Sequence, residues 1–560
     1  MKLLSIVQLV GTVALLGGSA LEAHASRNAG RDRALATITE ADMGRHVSIL
    51  ASDEFTGRLP GTPGEKKTLD YITARYREAG VGEPKGGYLQ EVPLARKTVK
   101  ESSKITIKGK RARVELELGG NMTIRTGGTT DRVVIKDSDL VFVGYGIVAD
   151  ELGWNDYDGV DVTGKTVVIL MNDPAGIADS LYFKGRALSH WGTGTAKAET
   201  AARHGAAGVL YIHDQDVIGY PFDAIATNAM RPRYELDKAP DGEPTPAFWV
   251  TVSRPAAKEI FESAGADLDA LAASAASRDF HAVPLSARVN GRIDVSIERS
   301  VSYNAVGYVK GSERPDEYVV YTAHWDHVGI GAPVDGDTIY NGAVDNATGT
   351  AALLELAQAF AALPEPPRRS VVFVATTAEE QGLLGAYHYA DHPVFPLEKT
   401  VGVINMDALF PFGDWNGMTV VGLGSSELED YLRAAAAEQG RGLQADPTPE
   451  YGAFFRSDHY PFAKKGVPAI FAVGGPLDEP APSEDVMKRF EDYITNSYHR
   501  PSDEYGDDWD LRGIAGDARV YFLTGYAIAD DDRIPNWYFT SEFRALRDRQ
   551  LQPPSVMGGN

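Results

Sequence analysis

Two adjacent glutamates, Glu379 and Glu380, follow a run of β-branched and apolar residues that predicts a buried strand over residues 370–377. Like charges side by side next to a core strand are unfavourable unless a cation compensates them. Taken alone, such a pair is more often part of a solvated turn. The residues at the ends of the neighbouring predicted elements therefore decide whether the two carboxylates carry chemistry.

Other ionisable side chains stand where neighbouring predicted elements end, and these are His324, Asp326, His327, Asp345, Asp407, Tyr498 and His499. In open α/β sheets ligands bind outside the carboxyl ends of the strands, so we expect these side chains to converge. Histidine nitrogens and carboxylate oxygens suit zinc, and this set carries more negative charge than one zinc needs. The set therefore predicts a pair of metals that share a bridging carboxylate.

The elements that position these residues alternate between strand and helix from about residue 300 to 535. The strands are EYVVYTAH, SVVFVATT, TVGVINMD and VPAIFAVGG, and the helices include TGTAALLELAQAFAAL and DVMKRFEDYITNSY. This alternation predicts an α/β fold with a mainly parallel, mixed sheet flanked by helices.

Five motifs of this region occur in the order AHWDHVG, GAVDNATG, AEEQGLLGA, NMDAL and YHRPSDEY. In this order and spacing they resemble the M28 family of di-zinc metallopeptidases, of the bacterial aminopeptidase type. The resemblance covers roughly residues 300–530 and the helical N-terminal stretch. It implies the zinc-exopeptidase fold, which is phosphorylase/hydrolase-like, and two zinc ions per chain.

The resemblance also implies a ligand set. His324 and Asp407 would hold one zinc, and Glu380 and His499 would hold the other. Asp345, which precedes a predicted helix, would bridge the two ions.

Three further residues would serve the reaction. The resemblance implies that Asp326 orients His324, that Glu379 transfers the proton of the attacking water, and that Tyr498 donates to the developing oxyanion. We interpret His327 as a structural or pocket-lining residue.

The phrase FFRSDHYPF also occurs in the family. Asp458 and His459 would line the substrate pocket or only support it, and the sequence leaves both readings open. Phe454 and Phe455 are candidates for an apolar specificity wall, although aromatic pairs are more often part of a core. In EFTGRLPGT, Arg58 is best explained as the centre of a structural turn.

Residues before this region predict a second module. The phrases LVFVGYGI and VDVTGKTVVIL resemble the protease-associated (PA) domain, a β-rich α+β insertion of such enzymes. The predicted organisation is a signal peptide over 1–25, the N-terminal part of the peptidase domain over 26–124, a PA-like domain over 125–292, the catalytic domain over 293–545 and a disordered tail over 546–560.

The composition restricts the partners and the compartment. The chain of 560 residues has 55 Lys and Arg against 78 Asp and Glu, a net charge of −23, which argues against nucleic-acid binding. It has no cysteine, so disulfides are excluded and any metal must bind His, Asp or Glu. Lys2, the apolar stretch to Gly18 and the motif Ala23-His24-Ala25 predict a cleaved export signal, and hence a periplasmic or secreted protein that is not held in a membrane.

These observations predict an exported zinc aminopeptidase that releases N-terminal residues from peptides with a free N-terminus, through a water activated by two zinc ions. An M28-type carboxypeptidase or dipeptidase is the main alternative. A glutaminyl-cyclase-like acyltransferase and a non-catalytic binding protein are more remote. The preferred N-terminal residue, the role of the PA-like module and the oligomeric state are left open by the sequence.

Overall fold

The computed structural model describes residues 26–174, 183–227, 229–238, 244–477, 484–506 and 508–552. The predicted signal peptide, residues 1–25, lies outside the described residues. The chain forms two compact units, which are described separately. The first unit comprises Met1–Glu91, Tyr303–Asp446 and Ser457–Asn560, and the second comprises Val92–Ser302 and Pro447–Arg456.

A mixed sheet forms the centre of the first unit. Its strands lie in the order Gly442–Ala445, Gly417–Val421, Ala469–Gly475, Thr400–Asn405, Arg314–His324, Arg369–Thr376 and the C-terminal part of Val283–Val309. The central strands are parallel, and two antiparallel pairings occur towards the edges. A short hairpin, Gly329–Val334 with Asp337–Tyr340, is separate from this sheet.

Helices accompany this sheet in the first unit. They are residues 26–35, Glu40–Leu50, Pro63–Ala79, Thr348–Ala361, Leu384–Asp391, Leu428–Glu438, His459–Lys464, Glu484–Asp492, Arg512–Asp530 and Arg544–Leu551. Shorter helical turns cover Asp53–Arg58, Ala343–Ala347, Leu397–Lys399 and Tyr493–Ser497. No helix within the described ranges has both the length and the apolar character that a membrane crossing needs.

Burial explains why the central strands read as unbroken apolar runs. Arg369–Thr376 and Thr400–Asn405 are buried along their whole length. Parallel strands covered on both faces show such runs instead of alternation, and β-branched residues suit their pleated surface. The predicted α/β class and mixed, mainly parallel sheet are thus confirmed.

The second unit has a sheet of its own. Its main order is the N-terminal part of Val283–Val309, Arg132–Phe142, Thr166–Leu170, Gly208–His213, Phe248–Ser253 and Met122–Thr126, with parallel pairing among the middle four strands. Smaller strands and pairs are Leu89–Val99, Lys104–Gly109, Arg113–Leu116, Val148–Ala149, Trp154–Asn155 and Arg233–Leu236.

Short helices accompany these strands in the second unit. They are Gly194–Arg203, Gln215–Ile218, Asp223–Ala226, Arg254–Ala264 and Leu268–Ala275. Helical turns cover Asp150–Leu152, His190–Gly192, Pro449–Tyr451 and Ala453–Phe455. The unit is thus α+β, as expected of the module predicted over 125–292, whereas its likeness to a PA domain stays a prediction.

The second unit differs from the predicted one at both ends, since it continues to Ser302 instead of residue 292, and it also contains Pro447–Arg456. The second unit begins at Val92 instead of residue 125, because Lys104–Gly109 pairs with Val283–Val309 and Met122–Thr126 pairs with Phe248–Ser253. These long-range pairings have no local signal in the sequence.

The C-terminal segment also differs. Residues 546–551, predicted to belong to a disordered tail, complete the helix Arg544–Leu551, whereas 553–560 lie outside the described residues. Arg547 is buried and donates to the Thr400 carbonyl at 2.8 Å, and Gln550 donates to the Lys465 carbonyl at 2.5 Å. Polar side chains attach this helix to the rest of the unit. The segment was predicted to be disordered because a polar composition is also typical of solvated tails.

Candidate metal centre and active site

The strand register brings the candidate residues to one edge of the sheet in the first unit. His324 lies opposite Thr376, at the end of two parallel strands, and Thr322 lies opposite Asn405 on the third. The segments after these strand ends carry the acidic residues of the sequence motifs. Parallel strands that end at the same edge therefore place these side chains together.

One group of possible metal ligands consists of His324, Asp345 and Asp407. The Nε2 atom of His324 lies 3.2 Å from Asp407 Oδ1 and 3.3 Å from Asp345 Oδ1. All three residues were predicted as ligands, and the structure brings them together.

A second group consists of His327, Asp345 and Glu380, so the two groups share Asp345. His499 Nε2 lies 3.0 Å from Asp345 Oδ2 and 3.1 Å from Glu380 Oε2, which brings this predicted ligand to the same place. His327 Nδ1 lies 2.7 Å from Glu380 Oε1. His327 was interpreted as a structural or pocket-lining residue, and the structure instead places it, fully buried, in the second group of possible metal ligands.

The donor set of both groups fits zinc. Each group offers one histidine nitrogen and two carboxylate oxygens, and within a group the ligand atoms all lie within 4.8 Å of one another. Zinc prefers this mixture of nitrogen and oxygen ligands. In addition, the buried His327 Nε2 atom has no hydrogen-bond partner among the described residues.

The carboxylates of the cluster and its histidines shift one another's pKa values. Burial lowers the pKa of His499, but Glu380 and Asp345 outweigh this effect and raise it to about 11. Burial and Asp345 raise the pKa of Glu380, but His499 and His327 outweigh them and lower it to about 2. Protonated histidines thus balance the carboxylates, and a divalent cation can do the same.

The two adjacent glutamates point to different groups. Glu380 contacts His327 and His499, whereas the Glu379 Oε2 atom lies 4.0 Å from His324 Nε2. Burial raises the pKa of the Glu379 carboxyl well above its usual value, and the opposing His324 charge does not cancel this. A carboxylate with raised basicity beside metal ligands suits proton transfer.

Asp326 was predicted to orient His324 through its carboxylate, and in the structure its main-chain carbonyl makes this contact instead. The His324 Nδ1 atom lies 3.1 Å from the main-chain carbonyl of Asp326 and 3.9 Å from its carboxylate. The carboxylate instead accepts a hydrogen bond from the Glu379 main-chain N–H at 3.0 Å. Asp326 thus contacts His324 through its backbone and holds the glutamate turn through its side chain.

Two supporting sets of residues carried no prediction. The carboxylate of Asp503 accepts hydrogen bonds from the main-chain N–H groups of Val344 and Asp345. The position of Asp503, four residues after His499 in YHRPSDEY, was the sequence signal that could have identified it.

A chain of hydrogen bonds also leads to the candidate ligand Asp407. Thr322 donates to Asn405 at 2.7 Å, Asn405 donates to Ser457 at 2.6 Å, and Ser457 donates to Asp407 at 2.5 Å.

The residues predicted to line the substrate pocket are divided between the two units. Asp458 is buried and accepts a hydrogen bond from Thr376, and His459 is fully buried against the Phe471 ring, so both support the site from the interior. Phe454 and Phe455 belong to the second unit, with ring centroids 5.3 Å apart.

The predicted oxyanion donor Tyr498 is next to the cluster. Its ring stacks on the imidazole of His499 with centroids 3.9 Å apart.

Comparison with known proteins agrees with this arrangement. Residues 304–522 match the model of Peptidase family M28, and this range contains every residue of both groups of possible metal ligands. Residues 304–522 form an M28 peptidase domain. The chain therefore carries a hydrolase domain of the peptidase class, as predicted.

Curated relatives match within part of the chain. The protein "Aminopeptidase NAALADL1" of Mus musculus is 33% identical over 129 residues, which are 22% of this chain and 16% of that protein. A "Probable zinc metalloprotease" of Pyrenophora tritici-repentis is 40% identical over 102 residues, 18% of this chain and 23% of that protein. A "Glutamate carboxypeptidase 2 homolog" of Caenorhabditis elegans is 36% identical over 111 residues, 19% of this chain and 13% of that protein. The chain thus spans less than a quarter of the length of these relatives.

Solved structures also resemble this chain. An aminopeptidase from Aneurinibacillus sp. strain AM-1 has 19% sequence identity and a TM-score of 0.49, and covers 90% of this chain and 97% of its own. A Peptidase M28 precursor from Shewanella amazonensis SB2B has 19% identity and a TM-score of 0.43, over 91% of this chain and 98% of its own.

Proposed function

We propose that this protein is a zinc aminopeptidase that removes N-terminal residues from peptides. The observation that supports this most directly is the pair of ligand groups that share Asp345, with Glu379 at 4.0 Å from His324. A shared carboxylate between two nitrogen-containing groups is the arrangement that a two-metal hydrolytic site requires.

Two zinc ions fit this donor set. His324 and Asp407 would hold one ion, Glu380 and His499 would hold the other, and Asp345 would lie between them. When bound, zinc polarises the scissile carbonyl and lowers the pKa of water, so that a nucleophile forms near neutral pH.

The residues of the chain supply the proton transfers. Glu379 accepts a proton from the attacking water and then donates it to the nitrogen of the leaving amine, so that the peptide C–N bond breaks and a carboxylic acid and a free amine result, between which the remaining acidic proton is shared. Tyr498, held by stacking on His499, donates a hydrogen bond to the oxygen that gains negative charge.

The charge of the site favours an N-terminal over a C-terminal substrate end. The cluster is rich in carboxylates, which attract an N-terminal ammonium. Arg58, an arginine close to the cluster, is fully buried and donates four hydrogen bonds, to the carbonyls of Leu50, Trp325, Asn341 and Gly342 at 2.6–2.8 Å. Its guanidinium is therefore not free to bind a substrate carboxylate.

A carboxypeptidase is the second candidate, because relatives named glutamate carboxypeptidase 2 homologs match this chain. Such an enzyme needs a cationic group for the C-terminal carboxylate of its substrate. The saturated Arg58 does not supply one, and we therefore rank this candidate second.

Export through residues 1–25 is part of the proposal and rests on the sequence pattern described above. The second unit would act as a PA-like module, for which its α+β content is the support. Cleavage of residues 1–25 is tested by N-terminal sequencing of the protein recovered from the periplasm or medium of an expressing bacterium.

The activity is tested with the zinc-loaded protein and a peptide library in which each peptide is paired with its N-acetylated twin. Mass spectrometry follows the products. We expect loss of N-terminal residues from free peptides only, and loss of this activity with a chelator. The variant Glu379→Gln should be inactive, whereas Glu398→Gln, which removes an exposed carboxylate of the same unit, should retain full activity.

Two results would contradict the proposal. Shortening of both twins from the C-terminus would assign the protein to the carboxypeptidases. Full metal content without cleavage of any peptide would exclude both peptidase candidates.

A further inference from the structure

A cavity of about 350 Å³ lies in the second unit. We call it the arginine cavity, and its lining includes Arg125, Glu199, His213, Tyr220, Arg233 and Trp249. Its volume falls within the range of about 300–1,000 Å³ that is usual for small-molecule sites. All six residues belong to the second unit, so the cavity is distinct from the metal centre.

Local structure explains how the two arginines reach one cavity. Arg125 lies opposite Trp249 in the antiparallel pair of Met122–Thr126 and Phe248–Ser253, so their side chains share one face of the sheet. Arg233 begins the strand that pairs with Leu94–Lys97. Both arginines therefore belong to strands, which position their side chains more precisely than loops do.

The guanidinium groups of this cavity form no salt bridge among the described residues, although Glu199 lies in the wall and the Glu235 charge acts on Arg233. Within the part of the chain that the structure describes, the guanidinium groups of Arg125 and Arg233 donate no hydrogen bond and form no ion pair. Glu235, two residues after Arg233, is instead paired with Lys97 at 2.5 Å. Burial, and then the neighbouring Arg125 charge, lower the pKa of Arg233 to about 10, so Arg233 stays protonated at neutral pH.

A buried histidine adds a second unmatched group. His213 is 2% exposed, at the end of Gly208–His213, and its Nε2 atom has no hydrogen-bond partner among the described residues. The rings of Tyr220 and Phe222 contact the imidazole in T-shaped geometry, with centroids 5.7 and 5.4 Å away. A buried polar atom without a partner is costly, so a ligand atom that pairs with it contributes to binding.

We propose that the arginine cavity binds a small organic monocarboxylate with a flat, apolar body. The carboxylate would lie against Arg125 and Arg233, since guanidinium groups bind carboxylates through paired hydrogen bonds. The apolar body would pack on Trp249 and Tyr220, and a ligand oxygen would pair with His213 Nε2. Glu199 in the same wall disfavours a ligand with a second negative charge.

The test uses the full-length protein and phenylacetate as the probe, with calorimetry as the readout. Phenylacetamide, which has the same shape without the charge, and sulfate, which lacks the apolar body, are the comparison compounds. The variants are Arg233→Gln, Arg125→Gln and His213→Gln. Arg231→Gln is the matched control, because Arg231 is exposed and does not line the cavity.

We expect saturable binding of phenylacetate at one site per chain. Arg233→Gln and Arg125→Gln should each weaken this binding at least tenfold, His213→Gln at least threefold, and Arg231→Gln less than twofold. Phenylacetamide and sulfate should bind at least tenfold more weakly than phenylacetate.

Several results would overturn the proposal. They are the absence of saturable binding, equal affinity for phenylacetamide, tighter binding of sulfate, and binding that both arginine variants leave unchanged. Circular dichroism verifies that each variant is folded. Arg125 is exposed, so Arg125→Gln remains informative if Arg233→Gln does not fold. Binding is measured without turnover, so the result does not depend on the peptidase assignment.

Discussion

The main-chain N–H of Asp345 donates a hydrogen bond to the carboxylate of Asp503 at 3.2 Å, and the N–H of Val344 donates to the same carboxylate at 2.9 Å. The residue that would bridge two metals is thus held through its backbone by a buried carboxylate. Tyr493 donates to this carboxylate as well, at 3.3 Å. Asp503 therefore positions Asp345 without being a ligand.

Asp503→Asn tests this relationship. An amide offers one acceptor oxygen where the carboxylate offers two, so one main-chain N–H would lose its partner, at about 1–3 kcal/mol. We expect zinc content below two per chain and reduced activity, measured by elemental analysis and peptide cleavage. Asp508→Asn removes an exposed carboxylate nearby and should change neither quantity. Unchanged zinc content in Asp503→Asn would contradict the positioning role.

Glu379→Gln should lower kcat by about 10²–10⁴-fold, because the amide cannot accept the proton of the attacking water. Zinc content should stay at two per chain, because Glu379 belongs to neither ligand group. Steady-state kinetics and elemental analysis on one preparation measure both quantities. A kcat within tenfold of the unaltered enzyme would exclude Glu379 as the base.

His327 and His499 both contact Glu380, so the second zinc ligand can be identified by comparing two variants. We expect His499→Ala to retain one zinc per chain and His327→Gln to retain two. Elemental analysis after dialysis provides the measurement. The reverse result would make His327 the ligand and His499 the supporting residue.

Arg58→Met should destabilise the first unit. The substitution leaves four buried main-chain carbonyls without their donor, and each unpaired group costs about 1–3 kcal/mol. We expect the free energy of unfolding in urea to fall by about 3 kcal/mol or more. Arg45→Met, at an exposed arginine, should change it by less than about 0.5 kcal/mol. A loss as small as that of the control would mean that water replaces the guanidinium.

His459 gives the protein a pH-dependent stability. Burial lowers its pKa to about 3, against about 6.5 in the unfolded chain, so the unfolded chain binds more protons between these values. Stability from this residue is therefore present above pH 6.5 and falls as the pH decreases towards 3. Between pH 7 and 5 the unaltered protein should lose about 2 kcal/mol more than His459→Gln does.

Urea unfolding at the two pH values measures this difference. His392→Gln, at an exposed histidine of the same unit, should behave as the unaltered protein does. Equal pH dependence of the unaltered protein and His459→Gln would show that His459 is protonated in the folded state.

Much of the first unit could be predicted from local pattern. The strands Arg369–Thr376 and Thr400–Asn405 are continuous runs of buried residues, which the sequence displays directly. His324, Asp345 and Asp407 follow such elements, and parallel strand order then brings them to one edge. The position of Arg58 in a turn was also expected, although its four carbonyl partners were not.

Residue type and local spacing were enough to predict the α/β class, the peptidase motifs and the identity of the ionisable residues. Long-range packing, in contrast, was needed to show that His327 contacts Glu380, that the Asp326 carboxylate binds the Glu379 N–H and that the second unit begins at Val92. It also showed that Arg125 and Arg233 share a cavity. These relationships join residues that are distant in the chain or depend on side-chain direction, and no local pattern encodes either.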